Sequence, residues 1–356
     1  MKRLLTTAAA LAAAASGAHA GGVERSSQSV AILFEEGRYA ELSFGHFSPD
    51  VSGSVGGGLA TSGDMAPSYT SWSLGYKMDV GDKMDFALIV DQPIGANIDY
   101  PAGTFYPLTG STAELTSTAL TALMRYQMAG NVSVYGGLRY ETVKGDVALT
   151  GGYTLTTNND RELGYVVGVA WEKPEIAARV ALTYNSAITH SLEAVEASPF
   201  GLVETTFDTE VPQSVNLEFQ TGIAADTLLF GSIRWVDWSV FEIAPPVYLS
   251  AGFGPLVAYP KDRITYNLGI GRRFNDTWSG AFLLGYEPSD GELTGNLGPT
   301  DGFSSIGLAA TYAVDGVKIT GGVRYVDIGD ATTNIVGGSF TDNSGVGFGV
   351  KVGYNF

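Results

Sequence analysis

The sequence predicts an all-β fold: a transmembrane antiparallel β-barrel of about 14 strands with a short N-terminal plug segment. Three observations predict it. An export signal precedes the mature chain, apolar residues recur at every second position, and short turns alternate with long polar segments.

The chain opens on Lys2 and Arg3, runs through a mostly apolar stretch from Leu4 to Ala15, and reaches Ala18-His19-Ala20. A basic end, a short apolar core and a small-x-small site, in that order, make a secretory signal cleaved after Ala20. The core is too short to anchor in a bilayer. The expected organisation is therefore a signal peptide over 1–20, a plug or hatch segment over 21–37 and a barrel over 38–356. There are no cysteines, which excludes a disulfide framework and thiol chemistry. After Ala20 no stretch offers the long charge-free run of a spanning helix. The formal charge of −17 becomes −19 once Lys2 and Arg3 leave with the signal, and so acidic a chain argues against nucleic acid as a partner.

The alternation is clearest at the carboxyl end. Val346, Phe348, Val350, Val352, Tyr354 and Phe356 share one face, and Gly347, Gly349, Lys351, Gly353 and Asn355 share the other. Lipid on one side and lumen on the other is the physical reason for such a strand. The pattern recurs in Trp72, Leu74, Tyr76, Met78 and Val80; in Val132, Val134, Leu138 and Tyr140; and in Tyr165, Val167, Val169 and Trp171. It recurs again in Val215, Leu217 and Phe219; in Ile264, Tyr266, Leu268 and Ile270; and in Trp278, Phe282, Leu284 and Tyr286. Aromatics near the ends of these faces suit girdles at the two lipid–water boundaries.

Short connectors are expected at Gly81-Asp82, Ala129-Gly130-Asn131, Lys173-Pro174-Glu175, Ala225-Asp226, Asn275-Asp276 and Asp315-Gly316. Long polar loops are expected over 49–67, 98–111, 143–160, 190–212, 243–262, 287–302 and 329–344. This asymmetry fits an outer-membrane barrel, with short periplasmic turns and long external loops. The least regular strand lies within 228–241, where Leu228-Leu229-Phe230 breaks the alternation. Before the first strand, the apolar cluster Val30-Ala31-Ile32-Leu33-Phe34 either folds into the lumen or extends that strand. A lumen too wide for wall side chains to fill favours the former.

In the order of its elements the chain resembles the FadL/TodX outer-membrane transporters of long-chain fatty acids and other hydrophobic compounds. The likeness rests on Gly45-His46-Phe47-Ser48-Pro49-Asp50-Val51-Ser52-Gly53, Asp91-Gln92-Pro93-Ile94-Gly95, Val211-Pro212-Gln213-Ser214 and Arg234-Trp235-Val236-Asp237-Trp238-Ser239, and on the terminal Phe356. It covers essentially the whole mature chain, which however has no Asn-Pro-Ala tripeptide in its hatch segment. The resemblance implies passive uptake through a plugged barrel. A hydrophobic ligand would land among external loops and leave sideways at a kink in the third strand, here Pro93 and Gly95. Proline removes a ladder hydrogen bond, so a break in pairing is physically reasonable there.

The external segments offer apolar residues for such a ligand: Phe105, Tyr106, Leu108, Phe200, Leu202, Tyr248, Leu249 and Phe253, with Phe34 from the plug. Lumen cations for a carboxylate head are Lys77, Arg125, Arg139, Arg179, Arg273 and Arg324, all on the polar phase of their strands. No enzyme is expected: outside the signal only His46 and His190 remain, in no nucleophile or metal arrangement. No cofactor is expected. The expected partners are the outer-membrane bilayer, a hydrophobic small molecule or fatty acid, and the barrel-assembly machinery reading Phe356; the chain is expected to act as a monomer. The alternative is a general or substrate-selective diffusion porin for small polar solutes. A structural or adhesive barrel would need neither a plug nor apolar loops. Replacing Phe356 by a charged residue is expected to lower insertion sharply, because the apolar face of the last strand ends there. Heat-modifiable migration on gels measures the folded fraction, and wild-type levels would sink this expectation.

Overall fold

The computed structural model describes residues 22–199 and 201–356, so the expected signal peptide and Phe200 lie outside the described residues. Antiparallel strands form a closed barrel of 14, as the alternation predicts. In chain order these are β1 (Tyr39–Asp50), β2 (Tyr69–Asp79), β3 (Met84–Asp91 and, after a break, Gly95–Asp99), β4 (Thr112–Gln127) and β5 (Val132–Leu149). Next come β6 (Asp160–Lys173), β7 (Ala178–Asn185, then Ile188–Ser198), β8 (Gly201–Val211, then Ser214–Ala224) and β9 (Thr227–Val236). The last five are β10 (Arg263–Arg273), β11 (Trp278–Glu287), β12 (Phe303–Val314), β13 (Val317–Ile328) and β14 (Asn343–Asn355). Pairing of β1 with β14, from Tyr39↔Asn355 to Asp50↔Ser344, closes the sheet and leaves no edge.

Burial is inverted relative to a water-soluble protein. The exposed face of β14 carries Val346, Phe348, Val350, Val352 and Tyr354, and the covered face carries Gly345, Gly347, Gly349 and Lys351. Lipid is the solvent that such a surface fits. The short turns fall where expected. Asp315 and Gly316, with φ of 47° and 83°, form a two-residue hairpin of left-handed residues, the twist that matches antiparallel strands. At the end of the chain the Phe356 amide donates to the Arg38 carbonyl at 3.0 Å, and its ring stacks on Tyr354.

Two expected loops are instead strand. Within 143–160, β5 continues to Leu149, and Tyr153–Thr157 returns beside it. Within 190–212, β7 and β8 run on as a hairpin paired from Ile188↔Val211 to Ser198↔Gly201. The many acids there suggest a loop, yet they alternate with Leu192, Ala194 and Phe207, which are buried. The segment 243–262 holds a short helix, α1 (Pro246–Ser250).

Residues 22–37 do not extend β1. They lie against the inner wall and touch strands far apart around the barrel. Glu24 bridges to Ile94 on β3 and accepts from Arg234 on β9 at 2.6 Å. Ser29 donates to Glu218 on β8 at 2.5 Å, and Lys318 on β13 donates to Glu35 at 2.9 Å. A 3₁₀ turn, Ala31–Phe34, buries Ile32 and Leu33 against Tyr39, Ala87, Leu123 and Tyr135.

Candidate functional site

The third strand breaks where its proline sits. Pairing of β3 with β4 stops at Asp91↔Ala119 and resumes at Gly95↔Thr116. Three residues, Gln92, Pro93 and Ile94, thus face two, Ser117 and Thr118. On its other edge β3 pairs with β2 from Asp79↔Asp85 only as far as Leu74↔Val90, although β2 pairs with β1 out to Tyr69. The ladder between β2 and β3 is therefore missing over Thr70–Ser73.

Side chains and the N-terminal segment patch the break. The Ser117 hydroxyl lies 2.9 Å from the Ile94 amide and 2.6 Å from its carbonyl, accepting from one and donating to the other. The Trp72 amide donates to Gln92 Oε1 at 3.1 Å. The Pro93 carbonyl accepts from the amides of Arg25 (2.8 Å) and Ser26 (3.3 Å), and the Gly95 amide donates to the Val23 carbonyl at 2.7 Å. Arg25 sits over the Tyr69 ring at 3.7 Å and donates to Asn97 at 3.1 Å.

The surplus residue also inverts the faces of β3. Before the break Asp85, Ala87 and Asp91 face inward; beyond it Ile94, Ala96 and Ile98 do. The interruptions of β7 and β8 act in the same way, moving the inward phase from Asn185 to Ile188 and from Ser214 to Val211. In β4 and β5 the side chains change instead. Outward Leu120 and Leu138 give way to inward Leu115 and Val143. These changes build an apolar pocket of about 50 Å³, lined among others by Val23, Ile94, Leu115, Phe207, Phe241 and Leu256.

The roof of the pocket hangs on one carboxylate. Glu196 is fully buried and accepts from the Tyr153 hydroxyl (2.8 Å), the Thr205 hydroxyl (2.7 Å) and the amides of Val247 and Tyr248 (3.1 Å each). It joins the β7–β8 hairpin to the start of α1. Burial, and then Glu196 itself, pushes the Tyr153 phenol far above its ordinary range, so the phenol stays a donor.

The apolar residues singled out from the loops are scattered. Tyr106 is buried between Tyr100 and Phe340, with Leu108 beside that cluster, while Phe105, Leu202, Leu249 and Phe253 are exposed. Tyr248 packs on the cluster that holds Leu155, Leu192 and Phe207, next to the pocket. Phe34 is far from that roof, set between the guanidinium groups of Arg125 (4.7 Å) and Arg179 (4.4 Å). None of these lines the apolar pocket, whose walls come from the upper ends of the strands, from Val23 and from Phe241, Ile243, Leu256, Val257 and Leu297 between the strands. Pro93 lies in the middle of the break, and Gly95 is where pairing resumes.

Three of the six cations, Lys77, Arg125 and Arg273, are paired with acids. Lys77 pairs with Asp79 and with Asp85 (2.9 Å), and Arg125 pairs with Asp85 (2.6 Å) and Glu172 (3.0 Å). Arg139 is buried and donates to Thr121 at 3.0 Å. Arg273 is not a deep lumen cation: it pairs at 2.5 Å with Asp226 in the β8–β9 turn. Arg179 and Arg324 line a second cavity, of about 210 Å³, which also reaches Ser71, Ser73 and Gln92 at the break.

No protein-family model matches the chain, and no curated protein matches it by sequence. Solved structures do match. A FadL homologue of Pseudomonas aeruginosa is 13% identical, with a TM-score of 0.78 over 98% of each chain. The toluene transporter TodX of Pseudomonas putida is 13% identical, with a TM-score of 0.68 over 96% of this chain and 98% of its own. The toluene transporter TbuX of Ralstonia pickettii is also 13% identical, with a TM-score of 0.66 over 98% of each. The likeness is one of fold, and it bears out the resemblance read from the sequence. This chain has the 14-stranded fold of the FadL and TodX outer-membrane channels.

Glu196→Ala should release the roof while leaving the barrel intact. Loss of a buried charged acceptor with several donors corresponds to roughly 2–4 kcal/mol of local stability. Hydrogen exchange should accelerate over 243–258 and stay unchanged in β10–β14; equal protection of 243–258 in both proteins would refute the assignment.

Proposed function

We propose that the protein is an outer-membrane channel for the passive uptake of hydrophobic compounds, long-chain fatty acids among them, with residues 22–37 as its plug and lateral exit at the break in β3. The observation that carries this reading is the interruption of the wall between β2 and β3, whose ladder ends at Leu74↔Val90 and leaves Thr70–Ser73 without a strand partner on that side, with the N-terminal segment bonded to the same break. A compound enters between the external segments, occupies the apolar pocket against Val23 and Ile94, and passes through the wall into the membrane. Each methylene prefers hydrocarbon to water by about 0.8 kcal/mol, so release into lipid is downhill relative to the periplasm. In its present closed form the pocket is small, and entry requires the roof to move. The FadL and TodX fold supports the reading. A diffusion porin would require a polar axial path, and the segment crossing the lumen together with the apolar pocket speaks against one.

Deletion of Pro93 tests the exit. It leaves Gln92 opposite Thr118 and Ile94 opposite Ser117, so β3 becomes regular and no other residue changes face. Gly95→Thr is a poorer choice, since a Cβ there meets Arg25 at 2.9 Å and the Leu115 carbonyl at 3.1 Å. Uptake of oleate and toluene by cells carrying the deletion should fall at least about tenfold, with folded barrel at wild-type levels. Undiminished uptake of both would exclude lateral exit. For the plug, removing residues 22–37 should raise single-channel conductance for small ions in planar bilayers, and unchanged conductance would deny the segment that role.

A further inference from the structure

The wall has a second unpaired stretch, between β6 and β7. Their ladder runs from Lys173↔Ala178 to Val166↔Asn185. One reciprocal contact follows it: the Ser186 amide donates to the Tyr165 carbonyl at 3.0 Å, and the Tyr165 amide to the Ser186 hydroxyl at 2.9 Å. Pairing resumes only at Thr157↔Ala194, where the strand Tyr153–Thr157 meets the upper part of β7. Among the described residues no ladder joins Asp160–Gly164 to Ile188–Leu192.

Equal lengths of chain separate the two ends of this gap on both strands, so the register is kept across it. The faces are not. Continued in that register, buried His190 would lie opposite exposed Arg161, whereas side chains directly opposite in an antiparallel pair share a face. The irregular residues Asn158-Asn159 and Ser186-Ala187 turn each strand over, and between them the two strands do not match. Two side-chain contacts cross the gap instead. Asp160 Oδ2 meets His190 Nδ1 at 2.9 Å, and the buried Nε2 of the same ring has no partner. Lower down, Ile188 fills the space beside Gly164, where an added Cβ would meet Ile188 Cδ1 at 2.7 Å.

The gap lies at the height of the break in β3, since Asp91, Ala119, Glu141 and Glu162 form one row across β3 to β6. Its outer side borders Leu163, which is 63% exposed and paired with lipid-facing Tyr140. Its inner side borders the apolar pocket, whose lining includes Leu155, Thr157 and Leu192. Ile188 belongs to the same buried cluster as Val23 and Ile94, so apolar side chains run without interruption from the gap to the pocket.

We propose that the gap between β6 and β7 is a second lateral port, through which apolar molecules dissolved in the outer leaflet reach the pocket. Ile188 and the Asp160–His190 contact are its gate. The inference rests on the channel reading for the pocket as a place that a ligand occupies. Breaking a ladder in hydrocarbon leaves backbone groups without partners, but here no ladder has to break, and movement of side chains suffices. A molecule taking this route passes from lipid to a dry pocket without crossing water. The acids Asp160 and Glu162 beside the gap make an uncharged molecule the suitable probe.

The test is photolabelling of the full barrel in phospholipid vesicles that contain a long-chain alkyl diazirine, an uncharged photoreactive hydrocarbon. Peptide mass spectrometry reads the label at pocket residues Leu155, Leu192 and Phe207, with lipid-facing Phe348 as control. Because the chain has no cysteines, Asp160→Cys with His190→Cys can be bridged across the gap by a short bifunctional thiosulfonate. Bridging should remove most of the pocket label and spare Phe348, and dithiothreitol should restore it. Ile188→Ala, which empties the place beside Gly164, should increase pocket labelling, and it carries the test if the bridged variant fails to fold. Pocket labelling should also survive deletion of Pro93; its loss there would assign all access to the break in β3 and overturn the second port. Pocket labelling that neither bridging nor Ile188→Ala changes would overturn the port and leave the channel reading standing. No pocket label in wild type, with Phe348 labelled, would overturn both.

Discussion

A backbone amide or carbonyl in hydrocarbon has no water to bond, and the whole structure depends on that constraint. It is why the sheet closes, why β1 reaches β14 over its full length, and why the interruption in β3 is so heavily compensated. Proline is the residue with no amide to satisfy, and it stands at the centre of the break. Around it Ser117 serves both backbone groups of Ile94, Gln92 serves the Trp72 amide, and the N-terminal segment serves Pro93 and Gly95. An opening in a membrane wall is tolerable only where protein groups or a water-filled lumen meet the freed backbone groups.

The break and the apolar pocket are products of one irregularity. A single extra residue opposite Ser117 and Thr118 separates β3 from β2 and turns Ile94, Ala96 and Ile98 toward the interior. Without it those apolar side chains would face outward at a level where Glu114 on the neighbouring strand is exposed and polar surroundings begin. The breaks in β7 and β8 make the same exchange for Ile188, Leu192 and Phe207. The wall therefore has two dry faces at different heights, the outer one against lipid and the inner one around the pocket.

Period-two alternation and turn residues are local properties, which is why strand number, short turns and the interruption at Pro93 could be read from the chain. The pocket could not. Many of its residues are inward-facing apolar groups in strand extensions, and within 190–212 the acids Glu193, Glu204 and Asp208 mask the dry face formed by Leu192, Ala194 and Phe207. The apolar residues Phe105 and Leu202 are exposed instead, and Tyr106 packs against Tyr100. The state of each lumen cation depends on register. Arg125 lies directly opposite Asp85, whereas Arg324 lies between two glycines, and only the pairing of strands distinguishes them.

The N-terminal segment is held in two different ways, and the difference bears on how the proposed route would open. Val30, Ile32 and Leu33 are packed among Tyr39, Ala87 and Leu123, a contact whose loss would expose apolar surface to the lumen. Residues 22–29 are held mainly by hydrogen bonds and ion pairs, through Glu24, Arg25, Ser26 and Ser29. Such contacts exchange for water at small net cost when water can reach them. The first part is thus an anchor and the second a detachable strap. Val23 couples the strap to the apolar pocket, because its side chain lines the pocket while its carbonyl bonds the Gly95 amide. On the proposed route, a ligand that displaced the Val23 side chain would also strain the bonds at Gly95 and Pro93, so that filling the pocket would loosen the wall without unfolding the barrel.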